Sequence, residues 1–260
     1  MMEKTLFVMP DHLSLFGTAP DARPHRHDFL HLIIAPDGLP GEWIISGETY
    51  NTSTVLINSR VPHQIISGNR PLWLILIDHT SPMAVCLRHL LLTDDFPQAR
   101  SLSAQITGML PDITAFTGLT SPGEKEYRHL WQKLTAALGV TGCYQPHEIS
   151  DARIRAVITA LRSPSPLPLQ DSNLLADIYL SRSRLSHLFS DTTGGTLKGY
   201  ILFQRLIRAL SAIAQGDTAT AAALDAGFDS PSHLSAVCRT LTGIQPRFAR
   251  QVSRFLKVSP

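Results

Sequence analysis

The chain has 260 residues, of which 43% are hydrophobic and 17% charged, with a formal net charge of +2. That length exceeds the roughly 100–200 residues usual for one domain, and the balance is globular, which excludes disordered, low-complexity and collagen-like chains. The charge is unevenly divided: residues 1–147 hold 10 Lys and Arg against 13 Asp and Glu, a balance of −3, whereas residues 148–260 hold 13 against 8, a balance of +5. A polyanion could face only the second part.

The first ten residues lack the basic start and long apolar centre of a signal peptide. The longest apolar runs, Leu72–Ile77 and Leu87–Leu92, fall far short of the roughly 20 residues that span a bilayer. A cytoplasmic protein with no membrane partner is expected. Cys86, Cys143 and Cys238 are scattered and odd in number, which points to free thiols rather than a disulfide framework or a cysteine zinc site.

The first informative cluster is His25-Arg26-His27-Asp28-Phe29-Leu30-His31, with His63 following Pro62. Nine of the eleven histidines lie before residue 148. Alternation along an extended segment places His25, His27 and His31 on one face. The pattern resembles the two metal motifs of cupin barrels, with His31 where a carboxylate usually stands. The resemblance implies a set of four imidazoles, suited to a divalent transition metal or to contact with an effector. A purely structural role is the third option, and no cofactor is certain. His79, His89 and His129 stand outside the motif and read as surface or packing residues. Arg26, Arg60 and Arg70 suit an anionic or hydroxylated effector, and surface charge explains them equally well.

From Phe29 to about Asp78 the chain reads as short strands: Phe29–Ala35, Trp43–Ile45, Thr54–Ile57, Gln64–Ile66 and Leu72–Ile77. Turn signals separate them, among them Pro36-Asp37-Gly38 and Ser67-Gly68-Asn69-Arg70-Pro71. A small antiparallel barrel or sandwich follows. After Pro82 the period becomes helical. Ser121-Pro122 with Glu124 reads as a helix start, after which Tyr127, Leu130, Trp131, Leu134 and Leu138 recur at spacings of three and four. That stripe fits a dimer seam or packing on its own domain equally well. Residues 142–147 read as a linker.

Beyond the linker the chain is helical. Asp151–Arg162 places Ile154, Val157, Ile158 and Leu161 on one face, and the proline-rich run from Ser163 to Pro168 ends it. Asn173–Ser181 reads as a short helix and turn with Ser181 as an N-cap, followed by a helix from Arg182 to about Asp191. Leu185, Leu188 and Phe189 form the buried face, opposite Ser183, Arg184, Ser186 and His187. A polar helix face held by a short preceding helix is the geometry of helix-turn-helix DNA readers. The arrangement recurs: a small-residue helix from Thr220 to Ala226, a turn at Gly227–Ser230, and a second candidate recognition helix from Pro231 to Leu241. Leu197–Ala214 joins the two and spans about 27 Å at 1.5 Å per residue, near the roughly 34 Å of one DNA turn.

The landmarks Ser181–Phe189, Thr193-Gly194, Tyr200, Arg205, Ala209, Ala223, Gly227-Phe228, Ser232, Leu234-Ser235, Arg239, Gly243–Pro246 and Arg250, after Leu175-Ala176, stand in the order found in AraC/XylS-family bacterial transcription regulators. Residues 150–250 resemble that family. The resemblance implies an α+β multidomain fold: a cupin-like sensor β-barrel over residues 1–82, a helical extension and candidate dimerisation element over 83–141, and an all-α tandem helix-turn-helix domain over 148–258. It further implies a sequence-specific regulator, an activator by family habit, that binds double-stranded promoter DNA as a homodimer, engages RNA polymerase and responds to a small-molecule or metal effector. Ser183, Ser186 and His187 would meet base edges in one major groove, flanked by Arg182 and Arg184. Pro231, Ser232, Ser235 and Ala236 would face the next, while His233 and Arg239 serve the phosphates. Ala236 stands where the family usually carries a long polar side chain, and Cys238 where it carries Phe, so the second helix is expected to read fewer bases. Two competing readings are a cupin metalloenzyme with an appended helical domain, for which no general acid or base is identifiable beside the histidines, and an architectural DNA binder without an effector.

Overall fold

The structure is a computed structural model and describes residues 4–9, 11–18, 21–95, 97–120, 122–141, 149–163, 180–242, 245–247 and 254–257. The chain divides into two compact units, residues 1–147 with 252–260, and residues 148–251. No helix among the described residues is long and apolar enough to cross a membrane.

Among the described residues the first unit holds ten strands: β1 (Thr5–Val8), β2 (His12–Thr18), β3 (Leu30–Ile34), β4 (Gly41–Ile45), β5 (Glu48–Thr52), β6 (Thr54–Ile57), β7 (His63–Ile66), β8 (Pro71–Ile77), β9 (Ala99–Ser101) and β10 (Arg254–Lys257). They form a seven-stranded sheet in the order β10-β1-β2-β8-β3-β6-β9 and a three-stranded sheet in the order β5-β4-β7. The arrangement is cupin-like but does not close into a barrel. The helices of this unit are α1 (Pro82–Leu91), α2 (Ser103–Ile106), α3 (Leu110–Thr117) and α4 (Glu124–Ala137), with a 3₁₀ turn at Thr107–Met109.

Strand alternation divides the apolar residues between two cores. Leu30, Leu32 and Ile34 of β3, Leu56 of β6, and Trp73, Ile75 and Ile77 of β8 pack with Met83, Ala84 and Leu87 of α1, with Ile113 and Phe116 of α3, and with α4. Their neighbours Ile33, Val55, Ile57 and Leu72 point the other way and meet Trp43, Ile45 and Ile65 of the small sheet. Both faces of the large sheet are therefore covered. This is why Val55–Ile57 of β6 and Leu72–Ile77 of β8 read as unbroken apolar runs rather than as alternating ones.

α4 begins at Glu124, where the Glu126 carboxylate accepts from the Gly123 N–H at 2.9 Å. Its stripe of Tyr127, Leu130, Trp131 and Leu134 is buried within this same unit. At roughly 1.5–3 kcal/mol per large apolar side chain, that burial fixes the helix on its own sheet. Of the two readings of the stripe, packing on its own domain is the one realised. A polar network reinforces the docking: Tyr127 Oη lies 2.6 Å from His12 Nε2, His12 Nδ1 lies 2.7 Å from Asp11, and the His12 ring stacks on Trp131 at 3.7 Å.

Several strands were not legible beforehand. β1, β2, β5, β9 and β10 are short or polar and are defined by pairing: β5 with β4 across the Ser46-Gly47 turn, β1 with β2, and β2, β9 and β10 with the more distant β8, β6 and β1. β10 lies parallel to β1, with Arg254 opposite Thr5 and Lys257 opposite Val8. Residues 252–260 thus belong with the first unit, although the sequence reading runs the helical domain on to residue 258. Cys86 is disulfide-bonded, whereas Cys238 is a buried free thiol, so the expectation of three free thiols is corrected. A disulfide requires proximity in space, which spacing in sequence does not show.

The second unit contains α5 (Ala152–Arg162), α6 (Arg182–Thr193), α7 (Leu197–Ala214), α8 (Ala219–Asp225) and α9 (Pro231–Thr242). The expected short helix over residues 173–180 lies almost wholly outside the described residues, as do the linker at 142–147, Leu175-Ala176, Gly243-Ile244 and Arg250. Side-chain caps set the helix starts: Asp151 accepts from Arg153 N, Ser181 from Arg184 N, Thr196 from Gly199 N and Thr218 from Ala221 N. Such caps stabilise a helix by about 0.5–2 kcal/mol each. α7 serves two cores. Leu197, Tyr200 and Ile201 pack with α5 and with Leu185 and Phe189 of α6, while Leu206, Ala209 and Ile213 pack with α8, Phe228 and α9. Arg162 Nε donates to Tyr200 Oη at 3.0 Å, and Arg208 donates to the carbonyls of Leu161 and Ser163 at the end of α5.

Candidate effector site and nucleic-acid interface

The histidine site is assembled by two segments of the first unit. His31 lies on β3 on the same face as Ile33, and His63 opens β7 on the same face as Ile65, so both point towards the core between the two sheets. His25 and His27 precede β3 and are not in a strand. An isolated bridge holds that segment instead, with His25 N–H to His63 O at 3.0 Å and His63 N–H to His25 O at 2.9 Å. The expected shared strand face is therefore replaced by a loop pinned to β7. All four imidazoles are buried, at 8% exposure or less.

The main chain around the rings fixes their chemistry. His25 Nδ1 faces the Arg23 carbonyl at 2.8 Å, His27 Nδ1 the Phe29 carbonyl at 3.2 Å, and His63 Nδ1 the Val61 carbonyl at 2.8 Å. A carbonyl only accepts, so each Nδ1 carries the hydrogen and each neutral ring presents Nε2 as a lone pair. Ligand atoms of His25, His27 and His63 lie within 4.8 Å of one another. The Nε2 atoms of His25 and His27 have no hydrogen-bond partner, and neither has that of His31. His31 stands to one side of the trio: its Nδ1 is 3.3 Å from His63 Nε2, and because that nitrogen is a lone pair, His31 donates.

Burial lowers the pKa of all four rings. His27 and His31 are held well below the ordinary imidazole value, first by burial and then by the neighbouring rings; His25 is lowered by burial, and His63 falls to about 4 through burial and the nearby His25. The set is neutral at neutral pH, with three lone pairs facing one space. Such a space can accept hydrogen bonds from a ligand or hold a cation.

The nearby arginines divide. Arg70 donates to Asp37 and to the carbonyls of Leu39 and Pro40, so it clamps a turn rather than waiting for an effector. Arg60 is exposed and pairs loosely with Asp28 at 3.7 Å, and Arg26 is exposed. His79 is buried and packs edge-on to Phe29, whereas His89 and His129 are exposed. Sequence reading found the histidines but not the carbonyls of Arg23, Phe29 and Val61 that set their tautomers, because a backbone partner leaves no residue signature.

In the second unit α6 buries Leu185, Phe189 and Thr193 and leaves Arg182, Ser183, Arg184 and His187 exposed, with Ser186 half-buried. Gly194 ends the helix with φ +75, and Gly227 holds φ +85 before α9, a left-handed conformation that favours glycine. α9 buries Leu234, Val237 and Cys238, exposes Ser232, Ala236 and Arg239, and leaves Pro231, His233 and Ser235 half-buried. Ser230 Oγ accepts from His233 N at 3.1 Å and starts the helix. The His233 ring is occupied locally: Nδ1 lies 2.9 Å from Asp229 and the ring packs edge-on to Phe228. Burial pushes the Cys238 thiol up to about 11, so it acts as a small core residue.

Residues 174–252 match a family model described as a helix-turn-helix domain. Among solved structures the chain is similar to ToxT of Vibrio cholerae. An apo variant of ToxT aligns at 14% identity and a TM-score of 0.55, covering 94% of this chain and 98% of that one. ToxT of strain O395 aligns at 10% identity and 0.54, covering 94% and 98%. The unsaturated-fatty-acid-bound wild-type ToxT aligns at 13% identity and 0.52, covering 94% and 95%. No curated protein matches the chain.

Proposed function

We propose that the chain, a DNA-binding transcription regulator with an AraC-type helix-turn-helix domain and a ToxT-like fold, is an activator controlled by an effector at its histidine cluster. The observation that carries the DNA-binding part is the pair of helices α6 and α9, each burying an apolar face and presenting a polar one, at opposite ends of α7. In this reading Ser183, Ser186 and His187 read bases and Arg182, Arg184 and Arg239 hold phosphates. α9 presents Ala236 at its centre and contributes fewer base contacts. With Nδ1 held by Asp229, His233 has only Nε2 left to offer a phosphate. Two serines and a histidine make a sparse donor set, so water-mediated contacts and DNA shape carry part of the specificity.

The effector part rests on the buried trio of lone pairs in the first unit. The fatty-acid-bound ToxT structure supports an effector for this chain too. Coupling between such sites is commonly about 5- to 150-fold in affinity. The regulator acts in the cytoplasm as a homodimer beside RNA polymerase. With the α4 stripe buried, the dimer must use another surface.

Genome-wide mapping of bound sites with the wild type and with His187→Ala tests the DNA reading. Discrete promoter sites that change on substitution support it. Equal affinity for all duplexes in shift assays at rising salt would refute it and favour an architectural binder. Run-off transcription with RNA polymerase separates activator from repressor.

A further inference from the structure

We infer that His25, His27 and His63 form a three-imidazole site for one divalent first-row transition-metal ion, with a coordination position left for water or an anion. This inference deepens the effector reading above by naming the ligand class. Three observations carry it. Each Nδ1–H is committed to a carbonyl, of Arg23, Phe29 and Val61, so the three Nε2 atoms are lone pairs. The three ligand atoms lie within 4.8 Å of one another, and the rings are buried. No protein donor reaches His25 Nε2 or His27 Nε2, a costly state for a buried acceptor unless something else satisfies it.

The Nε2 atoms of His25 and His27 have no donor, and that of His63 accepts only from His31 Nδ1 at 3.3 Å, long for such a bond, so an occupant that engages all three displaces a weak contact. A water has two hydrogens and satisfies at most two of the nitrogens. A metal ion satisfies all three. At about 2.0–2.1 Å from each nitrogen and near-tetrahedral angles, the nitrogens stand roughly 3.3 Å apart, so separations within 4.8 Å need to close by no more than about 1.5 Å. The carbonyls that fix the tautomers also orient the rings and raise their basicity, as partners of metal-bound histidines commonly do. The donor set excludes hard ions: Mg²⁺ and Ca²⁺ require oxygen ligands, whereas imidazole suits Zn²⁺, Co²⁺, Ni²⁺, Cu²⁺ or Fe²⁺. With three neutral ligands the ion keeps its whole charge, which favours an anion in the remaining position. His31 is assigned a different part. Its Nδ1–H occupies the His63 lone pair at 3.3 Å, so it competes with the ion rather than binding it.

The test uses the full chain, stripped with chelator and exchanged into metal-free buffer, and titrated with Co²⁺ while the visible d–d bands are recorded. Zn²⁺ competition and elemental analysis give the stoichiometry. The expected result is one ion per chain with a four-coordinate cobalt spectrum. His25→Ala, His27→Ala and His63→Ala are each expected to weaken binding at least about 100-fold, whereas the exposed-residue control His89→Ala with His129→Ala retains it. Circular dichroism confirms that each variant is folded. His31→Phe is expected to keep both the stoichiometry and the spectrum; loss of the ion there overturns the three-imidazole assignment. Failure of the folded wild-type chain to bind Co²⁺ or Zn²⁺ stoichiometrically overturns the site itself, and that result stands apart from any misfolding of variants. DNA binding is measured in parallel with and without the ion. A chain that binds no metal yet still recognises discrete promoters leaves the regulatory reading standing. One bound ion with unchanged promoter affinity upholds the site and removes the metal from regulation.

Discussion

Acidification should destabilise the first unit before any carboxylate titrates, and the histidine cluster sets the window. His63 has a folded-state pKa of about 4 against 6.5 for the free imidazole. A lowered folded-state value means that the unfolded chain takes up the proton first. The stabilisation is therefore complete above pH ~6.5 and is lost as pH falls towards ~4. By the linkage relation, His63 alone removes about 1 kcal/mol between pH ~7.5 and ~5.5 and about 3 kcal/mol by pH ~4. His25, His27 and His31 are shifted in the same direction and add to the loss. Against a typical stability of about 5–15 kcal/mol, that is a large share. The assay is urea unfolding followed by tryptophan fluorescence at several pH values with metal-free protein. Trp43, Trp73 and Trp131 are the chain's three tryptophans and all lie in the first unit, so the signal reports that unit. A stability that stays flat or rises between pH ~7.5 and ~5.5 would show that the imidazoles are not held neutral, and the tautomer argument would fall with it.

Three further outcomes are expected. Arg184→Ala should weaken binding to all duplexes alike and reduce the slope of log affinity against log salt by about one, measured by fluorescence anisotropy, whereas His187→Ala should cost about 1–3 kcal/mol at particular base positions. Cys238, buried and with its thiol at about 11, should resist a thiol-specific dye at pH ~8 in the folded chain and react on unfolding; fast native labelling would place it at the surface. Tyr127→Phe removes the hydroxyl beside His12 Nε2 and should destabilise the first unit by about 1–3 kcal/mol in the same urea assay, while a change below ~0.5 kcal/mol would make that contact incidental.

The polar faces of α6 and α9 were legible because a helical period separates buried from exposed positions without knowledge of the partner. Ser181 as a cap and Gly227 as a left-handed stop were legible for the same local reason. The histidines were legible as residues but not as a site. Alternation put His25, His27 and His31 on one strand, whereas a loop carries the first two and His31 donates to His63 instead of joining the trio. The deciding groups are backbone carbonyls, which every residue possesses and no sequence pattern marks.

The sequence by itself determined the two-part division, the strand and helix periods that bury Leu32, Trp73, Leu185 and Leu234, and the residue types offered to DNA. Each of these follows from local spacing or composition. Only the tertiary structure decided that the α4 stripe covers its own sheet, that Arg254–Lys257 returns to β1, that Cys86 is disulfide-bonded and that three Nε2 lone pairs meet. An apolar face or a donor set records what a segment must satisfy, and the partner that satisfies it is chosen by contacts between residues far apart in the chain.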